Sequence, residues 1–162
     1  MTEAPKYSRP EIERRWLADL AAIDLGGIPF REIDDLYIAD SRLRLRRISG
    51  PHELVFKLCR KYGKRTLFSE PIANLYLSEH EYRLLARLPG NRARKRRYAL
   101  QGGSLDVYLE PNRDMAVFEL EFDDEGSATE YVPPAFVTRE VTNETAYSGA
   151  ALATGLGGAP NR

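Results

Sequence analysis

The chain has 162 residues, with Lys plus Arg and Asp plus Glu both at 24, so its formal charge is zero. That length suits one domain with a real core and is short for two. A neutral chain also lacks the basic field that draws a polyanion such as DNA, so no nucleic-acid partner is expected. Cys59 is the sole cysteine, which excludes an intrachain disulfide and a thiolate metal cluster and suits a reducing compartment. No stretch approaches the roughly 18 apolar residues of a membrane span, and Met1 to Arg9 has no apolar core of a signal peptide. The expectation is a cytoplasmic protein with no membrane partner.

After a polar segment at 1–9, Glu11 to Leu17 reads as a strand with Glu11, Glu13 and Arg15 on one face. Asp19 to Asp24 suits one helical turn before Gly26-Gly27. Extended segments follow at Phe30 to Ala39, Arg42 to Ile48 and Glu53 to Cys59, separated by Asp40-Ser41 and Ser49-Gly50-Pro51, which are turn chemistry. Thr66 to Tyr76 reads as strand, with Pro71 expected at an edge or a bulge. Ser78-Glu79-His80-Glu81 is a capping box, and Pro89-Gly90 ends the helix it starts. Strands are predicted at Arg92 to Leu100, Ser104 to Leu109 and Ala116 to Phe122, which brings the expected number to eight. Glu125 to Val132 and Asn143 to Leu152 read as partly helical, and the Gly/Ala-rich stretch 154–162 as a flexible tail.

Several of these strands carry charge on a whole face. Arg42, Arg44 and Arg46 alternate with Leu43 and Leu45, and Glu119 and Glu121 alternate with Phe118, Leu120 and Phe122. Spacing alone fits a solvated sheet face with cross-strand ion pairs as well as it fits a site. Strand number separates the two. Eight antiparallel strands can close into a barrel, and apolar rows packed outward against helices then leave the charged rows lining the lumen. Buried charge of that kind has to be paired, wet or occupied by a ligand. Carboxylates offer hard oxygens to Mg²⁺ or Mn²⁺, and Arg and Lys suit phosphate oxygens.

Glu11-Ile12-Glu13-Arg14-Arg15 resembles the ExExK signature of the CYTH group of triphosphate tunnel metalloenzymes, which contains class IV adenylyl cyclases, thiamine triphosphatases and inorganic triphosphatases. The likeness continues in order through Tyr37, Arg44-Leu45-Arg46, Lys57, Glu70, Lys95-Arg96-Arg97-Tyr98, Leu105-Asp106-Val107-Tyr108, Glu119-Leu120-Glu121-Phe122 and Glu140-Val141-Thr142 with Tyr147. The resemblance implies a mainly β, α+β fold: a closed eight-stranded antiparallel β-barrel with a polar, charged interior and a few flanking helices, spanning 10–153. It implies a metal-dependent hydrolase of triphosphate-containing small molecules, inorganic triphosphate above all, with Mg²⁺ or Mn²⁺ as cofactor and a homodimer left open. Glu11, Glu13 and Arg15 fall at its catalytic signature. Arg44, Arg46, Lys57, Lys95 and Arg97 fall at its substrate-binding positions. Glu119, Glu121 and Asp106 fall at metal positions, Asp106 alternatively orienting the basic groups.

Two departures bear on chemistry. The signature lysine is Arg15 here, and a guanidinium with a pKa above about 12 cannot accept a proton. A second carboxylate two residues beyond Glu70 is replaced by Ile72. These departures keep open a non-catalytic polyphosphate- or nucleotide-binding module, and the shared fold keeps open a cyclase in which a ribose hydroxyl replaces water. His52 and His80 are the only histidines, His80 sitting in the capping box, and no P-loop, nucleophile elbow or dinucleotide fingerprint is present.

Overall fold

Short strands separated by tight turns pair with their neighbours in sequence in two runs, and pairings between strands distant in sequence join the runs into a ring. The computed structural model describes residues 3–157. Its strands are β1 (Arg9–Ala18), β2 (Phe30–Ile38), β3 (Leu43–Gly50), β4 (Glu53–Lys61), β5 (Ser69–Leu77), β6 (Gly90–Leu100), β7 (Gly103–Glu110), β8 (Ala116–Phe122) and β9 (Val137–Glu140). The sheet order is β5-β4-β3-β2-β6-β7-β8-β1-β9, and β1–β5 pairing closes the first eight into an antiparallel barrel. β1 serves two neighbours on one edge: its first residues pair with β5, and its last residues, past the end of β5, pair with β9. The ninth strand is an addition to the expected eight. Its four residues, after Pro133-Pro134, carry no apolar alternation and take their register from the edge of β1.

Pro71 lies at the closing seam rather than at an edge or a bulge, directly opposite Pro10. The seam tolerates two residues without an N–H because both lie where other pairing has ended. β8 pairs β1 only from Ile12 onward, and the last β4–β5 pair is Lys61 with Ile72.

Helix α1 (Glu79–Leu85) starts at the expected capping box. Ser78 Oγ accepts from the Glu81 N–H at 3.2 Å, and Glu81 Oε2 accepts from the Ser78 N–H at 2.7 Å. Helices α2 (Glu125–Glu130) and α3 (Gly149–Ala153) follow, with 3₁₀ turns at Leu20–Ala22 and Thr145–Tyr147. Most of the expected tail at 154–162 falls outside the described residues. No helix among the described residues is long and apolar enough to cross a membrane.

The apolar core divides in two because the barrel centre is polar. One cluster packs against the outer wall: Trp16, Tyr98, Leu105, Ala116 and Phe118 meet Leu20, Ile23, Ile28, Tyr131 and Phe136 from the connecting segments. The other closes one end of the lumen, where Ala93, Tyr108 and Val117 pack on Val141, Tyr147, Leu152 and Ala153. Gly149 opens α3 beneath Tyr37, and any side chain there would collide with the Tyr37 hydroxyl.

Candidate functional site in the barrel lumen

Register sets which side chains share the lumen. Tyr37 pairs with Arg44, Asp35 with Arg46, Arg46 with Lys57, Lys95 with Tyr108, and Arg97 with Asp106. Glu119 pairs with Arg15, Glu121 with Glu13, and Glu11 with Glu70. Because strand side chains alternate, one continuous register puts every expected site residue on the same inward face. Arg94 and Arg96 point outward, Arg94 to Asp34 and Arg96 toward Glu32. Arg42 lies in the bend before β3 and outside the row. A surface hollow of about 650 Å³ beside Phe30, Gly50 and Tyr98 lies against the outer wall and is lined by none of the expected site residues.

The middle of the lumen is a lattice of paired charge. Arg46 donates from Nε and Nη2 to both oxygens of Asp35, at 2.6 and 2.7 Å. Arg97 makes the same fork to Asp106, at 2.6 and 2.7 Å, while Lys95 Nζ lies 2.5 Å from Asp106 Oδ2. Arg97 Nη2 also reaches Glu119 Oε2 at 2.8 Å, and Arg15 Nε reaches Glu119 Oε1 at 3.1 Å. Asp106 is fully buried and Asp35, Arg46 and Lys95 nearly so. Burial pulls the Asp106 carboxyl upward, but Arg97 and Lys95 outweigh it and hold the group well below the usual carboxylate range. Arg46, followed by Arg44 and Lys95, does the same for Asp35 against its own burial. The pairing is what makes ionised groups tolerable at this depth.

Next to the lattice lies an acidic cluster. Ligand oxygens of Glu11, Glu13 and Glu121 all come within 4.8 Å of one another. Burial, then the charge of Glu119, push the Glu13 carboxyl up to about 7, against the pull of Lys61 and Arg15. Lys61 Nζ sits 2.6 Å from Glu11 Oε2 and 4.0 Å from Glu70 Oε2. Burial lowers the affinity of Lys61 for its proton, but Glu13 and Glu11 raise it by more, so its ammonium is firmly held. Glu70 Oε1 also accepts from the Gly63 N–H at 2.9 Å, in a turn whose φ of 95° suits glycine. Converging hard oxygens that repel one another fit a metal cation.

The expected metal residues therefore fall into two environments. Glu121 joins Glu11 and Glu13, whereas Glu119 and Asp106 have their oxygens engaged by Arg15, Arg97 and Lys95. Asp106 thus meets two cations, Arg97 and Lys95. Sequence reading missed Lys61 and Asp35. Lys61 continues the alternation of Lys57 and Cys59, but the strand was expected to end at Cys59. Asp35 stands between Ile33 and Tyr37 on an inward face, where a lone acid among apolar residues marked a partner to be sought. Arg15, at the expected catalytic signature, donates from Nη1 to the Tyr147 carbonyl at 2.7 Å, which ties β1 to the segment that closes the lumen.

No protein-family model matches the chain, and no curated protein matches it. Solved structures do. The inorganic triphosphatase NE1496 is 24% identical, with 88% of this chain and 93% of that chain covered and a TM-score of 0.57. A candidate adenylate cyclase from Bacillus halodurans is 17% identical over 76% of this chain and 86% of that one, with a TM-score of 0.51. The PH1819 protein of Pyrococcus horikoshii OT3 is also 17% identical, over 74% and 82%, with a TM-score of 0.50. A closed eight-stranded barrel with an inward-facing charged register and these neighbours agree: the chain has the fold of these proteins.

Proposed function

We propose that this protein is a divalent-metal-dependent triphosphatase that hydrolyses inorganic triphosphate inside its barrel. The observation that carries the reading is the meeting, in one closed lumen, of a guanidinium and ammonium lattice with the Glu11, Glu13 and Glu121 oxygens. The like-folded NE1496 is an inorganic triphosphatase, which supports the choice of substrate.

Triphosphate is a chain of anionic phosphoryl groups, and cations fixed on separate strands match its oxygens along their length. Arg44, Arg46, Lys57, Lys95 and Arg97 hold those oxygens, with Asp35 and Asp106 keeping Arg46, Lys95 and Arg97 extended. Glu11, Glu13 and Glu121 would hold Mg²⁺ or Mn²⁺, which when bound would neutralise phosphate charge and polarise the scissile linkage. Arg15 stays charged throughout and, anchored by Glu119 and the Tyr147 carbonyl, contributes position and field rather than proton transfer. The proton of the attacking water passes to the phosphate products, since the Glu13 oxygens are assigned to the metal. The water oxygen bonds to the terminal phosphorus, the bond from that phosphorus to its bridging oxygen breaks, and orthophosphate and pyrophosphate leave.

The test is phosphate release from inorganic triphosphate by the purified protein with Mg²⁺ or Mn²⁺, and its loss with a chelator. Triphosphate bound tightly but never cleaved, with either metal, would make the protein a binding module. Cyclic nucleotide formed from ATP without triphosphate hydrolysis would make it a cyclase.

A further inference from the structure

The pairing that closes the barrel uses only part of β5. β1 covers its edge from Ser69 to Ile72, and no strand among the described residues pairs with that edge from Ala73 to Leu77. The chain before Arg9 does not continue the ladder. It folds into a turn in which the Ser8 N–H donates to the Pro5 carbonyl at 2.8 Å. Leu75 and Tyr76, on the uncovered part, are 61% and 71% exposed.

The two prolines at the seam fix which main-chain groups this leaves open. Pro10 lies opposite Pro71 and neither has an N–H, so the hydrogen-bonded pairs are the flanking ones, Arg9 with Ile72 and Glu11 with Glu70. The Pro71 carbonyl accordingly turns the other way and accepts from the Tyr62 N–H at 3.0 Å. Main-chain groups alternate sides along a strand, so those of Asn74 and Tyr76 face the open edge just as those of Glu70 and Ile72 face β1. Proteins commonly guard such an edge with charged residues or proline. Ala73-Asn74-Leu75-Tyr76-Leu77 has neither.

The open groups are symmetric about Leu75. A second copy of the strand, antiparallel with a two-fold axis at Leu75, puts Asn74 opposite Tyr76 of the other copy, and each such pair exchanges both of its hydrogen bonds. The outer face matches as well. Register lines up Leu36, Leu45, Leu58 and Leu75 in one outward row across β2, β3, β4 and β5. Leu36 and Leu45 are buried, Leu58 is half-buried, and the row ends exposed at Leu75. Across the axis the row runs on into that of the second copy, and each Leu75 covers the other in the closer, non-hydrogen-bonded kind of pair. The match extends from Ala73 to Leu77. Beyond it one chain enters the Ser78 cap of α1, and the other is already paired with β1.

We infer that the open part of β5 is a homodimer interface, through which two copies of this chain join edge to edge into one continuous sheet. The pairing is made by main chain and by the outer face, so it stands apart from the triphosphatase reading.

The experiment is sedimentation equilibrium on the full chain across a series of protein concentrations, with each variant first shown by thermal melting to be folded. The wild type is expected to pass from monomer to dimer. Tyr76→Pro removes an edge-facing N–H while sparing the ladder to β4, and is expected to stay monomeric. Tyr76→Ala loses the same side chain but keeps the N–H, and is expected to dimerise. Leu75→Lys sets like charges on the axis and is expected to weaken the dimer by at least about tenfold. Leu75→Cys reads the register: treated with diamide it is expected to form a disulfide-linked dimer, which the wild type, with Cys59 buried, does not. A wild type that is monomeric throughout the series overturns the interface. So does a dimer that Tyr76→Pro and Leu75→Lys leave undiminished, or that diamide fails to link in Leu75→Cys. Equal loss in Tyr76→Ala and Tyr76→Pro overturns the main-chain pairing.

Discussion

Lys61 holds Glu11 at 2.6 Å and so places a side-chain cation at the edge of the oxygen cluster proposed to take a metal. The ammonium offsets part of the repulsion among Glu11, Glu13 and Glu70 in the metal-free protein, since its own proton is held more firmly by Glu13 and Glu11. Removing it transfers that task to a metal. Lys61→Met is expected to melt lower than wild type in chelator and to gain more from Mn²⁺, with metal affinity tighter by up to about tenfold, a change of about 1.4 kcal/mol. Differential scanning calorimetry with and without Mn²⁺ reads both. An identical Mn²⁺ response in the two proteins would separate Lys61 from the metal cluster.

Glu13 supplies a pH dependence of definite sign. Its carboxyl titrates near 7 in the folded protein, against 4.5 for the ordinary group, so between these values the folded state binds the extra proton. Stability from this group is therefore greatest below about 4.5, falls as pH rises toward 7, and stays reduced above it. Glu13→Gln is expected to raise the melting temperature at pH 8, to leave it nearly unchanged at pH 4, and to lose the stabilisation that Mn²⁺ gives the wild type. Melting curves across that range check all three, and a variant no more stable at pH 8 would contradict the assigned repulsion.

The fold was legible because its signals are local. Alternation in Arg44-Leu45-Arg46 and Glu119-Leu120-Glu121, turn residues between strands and the Ser78 capping box each act over a few residues, and an even number of antiparallel strands can then close. The partition of the site was not legible in the same way. Whether Glu119 meets a metal or a guanidinium depends on Arg97 from β6 and Arg15 from β1, each brought beside it by register across the barrel. Lys61 was missed at a strand end, where pattern fades first, and β9 because a strand completing another's edge needs no apolar face of its own.

The two late carboxylates should respond differently to neutralisation. Glu121 is exposed and belongs to the oxygen cluster, so Glu121→Gln is expected to keep its melting temperature while metal-dependent phosphate release falls by at least about tenfold. Glu119→Gln loses charge from the pairs with Arg15 and Arg97 and is expected to melt lower as well. Equal stability losses in the two variants would erase the distinction between cluster and lattice.

Asp106 is the most consequential lattice position, since Arg97 and Lys95 both end on it. Asp106→Asn leaves two buried cations short of a counter-charge, a loss on the order of 3–5 kcal/mol. The same pairing sets the acid response. Its carboxyl is held below the usual range, so its stabilisation is complete above the ordinary aspartate value and disappears as pH falls through the folded one. Urea titrations at pH 7 and pH 3 are expected to separate wild type and variant widely at the first pH and less at the second. A constant difference would place the stabilisation in packing instead of charge.

Lys57 is expected to trade stability for binding. Burial, then Arg46 and Arg44, pull its ammonium down to about 8, so the folded protein releases this proton more readily than the unfolded chain does. For a lysine shifted downward the penalty is present below about 8, fades as pH climbs toward 10.5, and is absent above that. Lys57→Met removes the uncompensated charge and keeps most of the volume. Its melting temperature at pH 7 is expected to rise by about 1–3 °C, the scale of a change under 1 kcal/mol in a chain of this size. Triphosphate affinity is expected to fall at the same pH, and the wild-type gain in stability between pH 8 and 10 should flatten. Both signs are required, because a cation that neither destabilises the free protein nor helps hold the anion would have no part in the site.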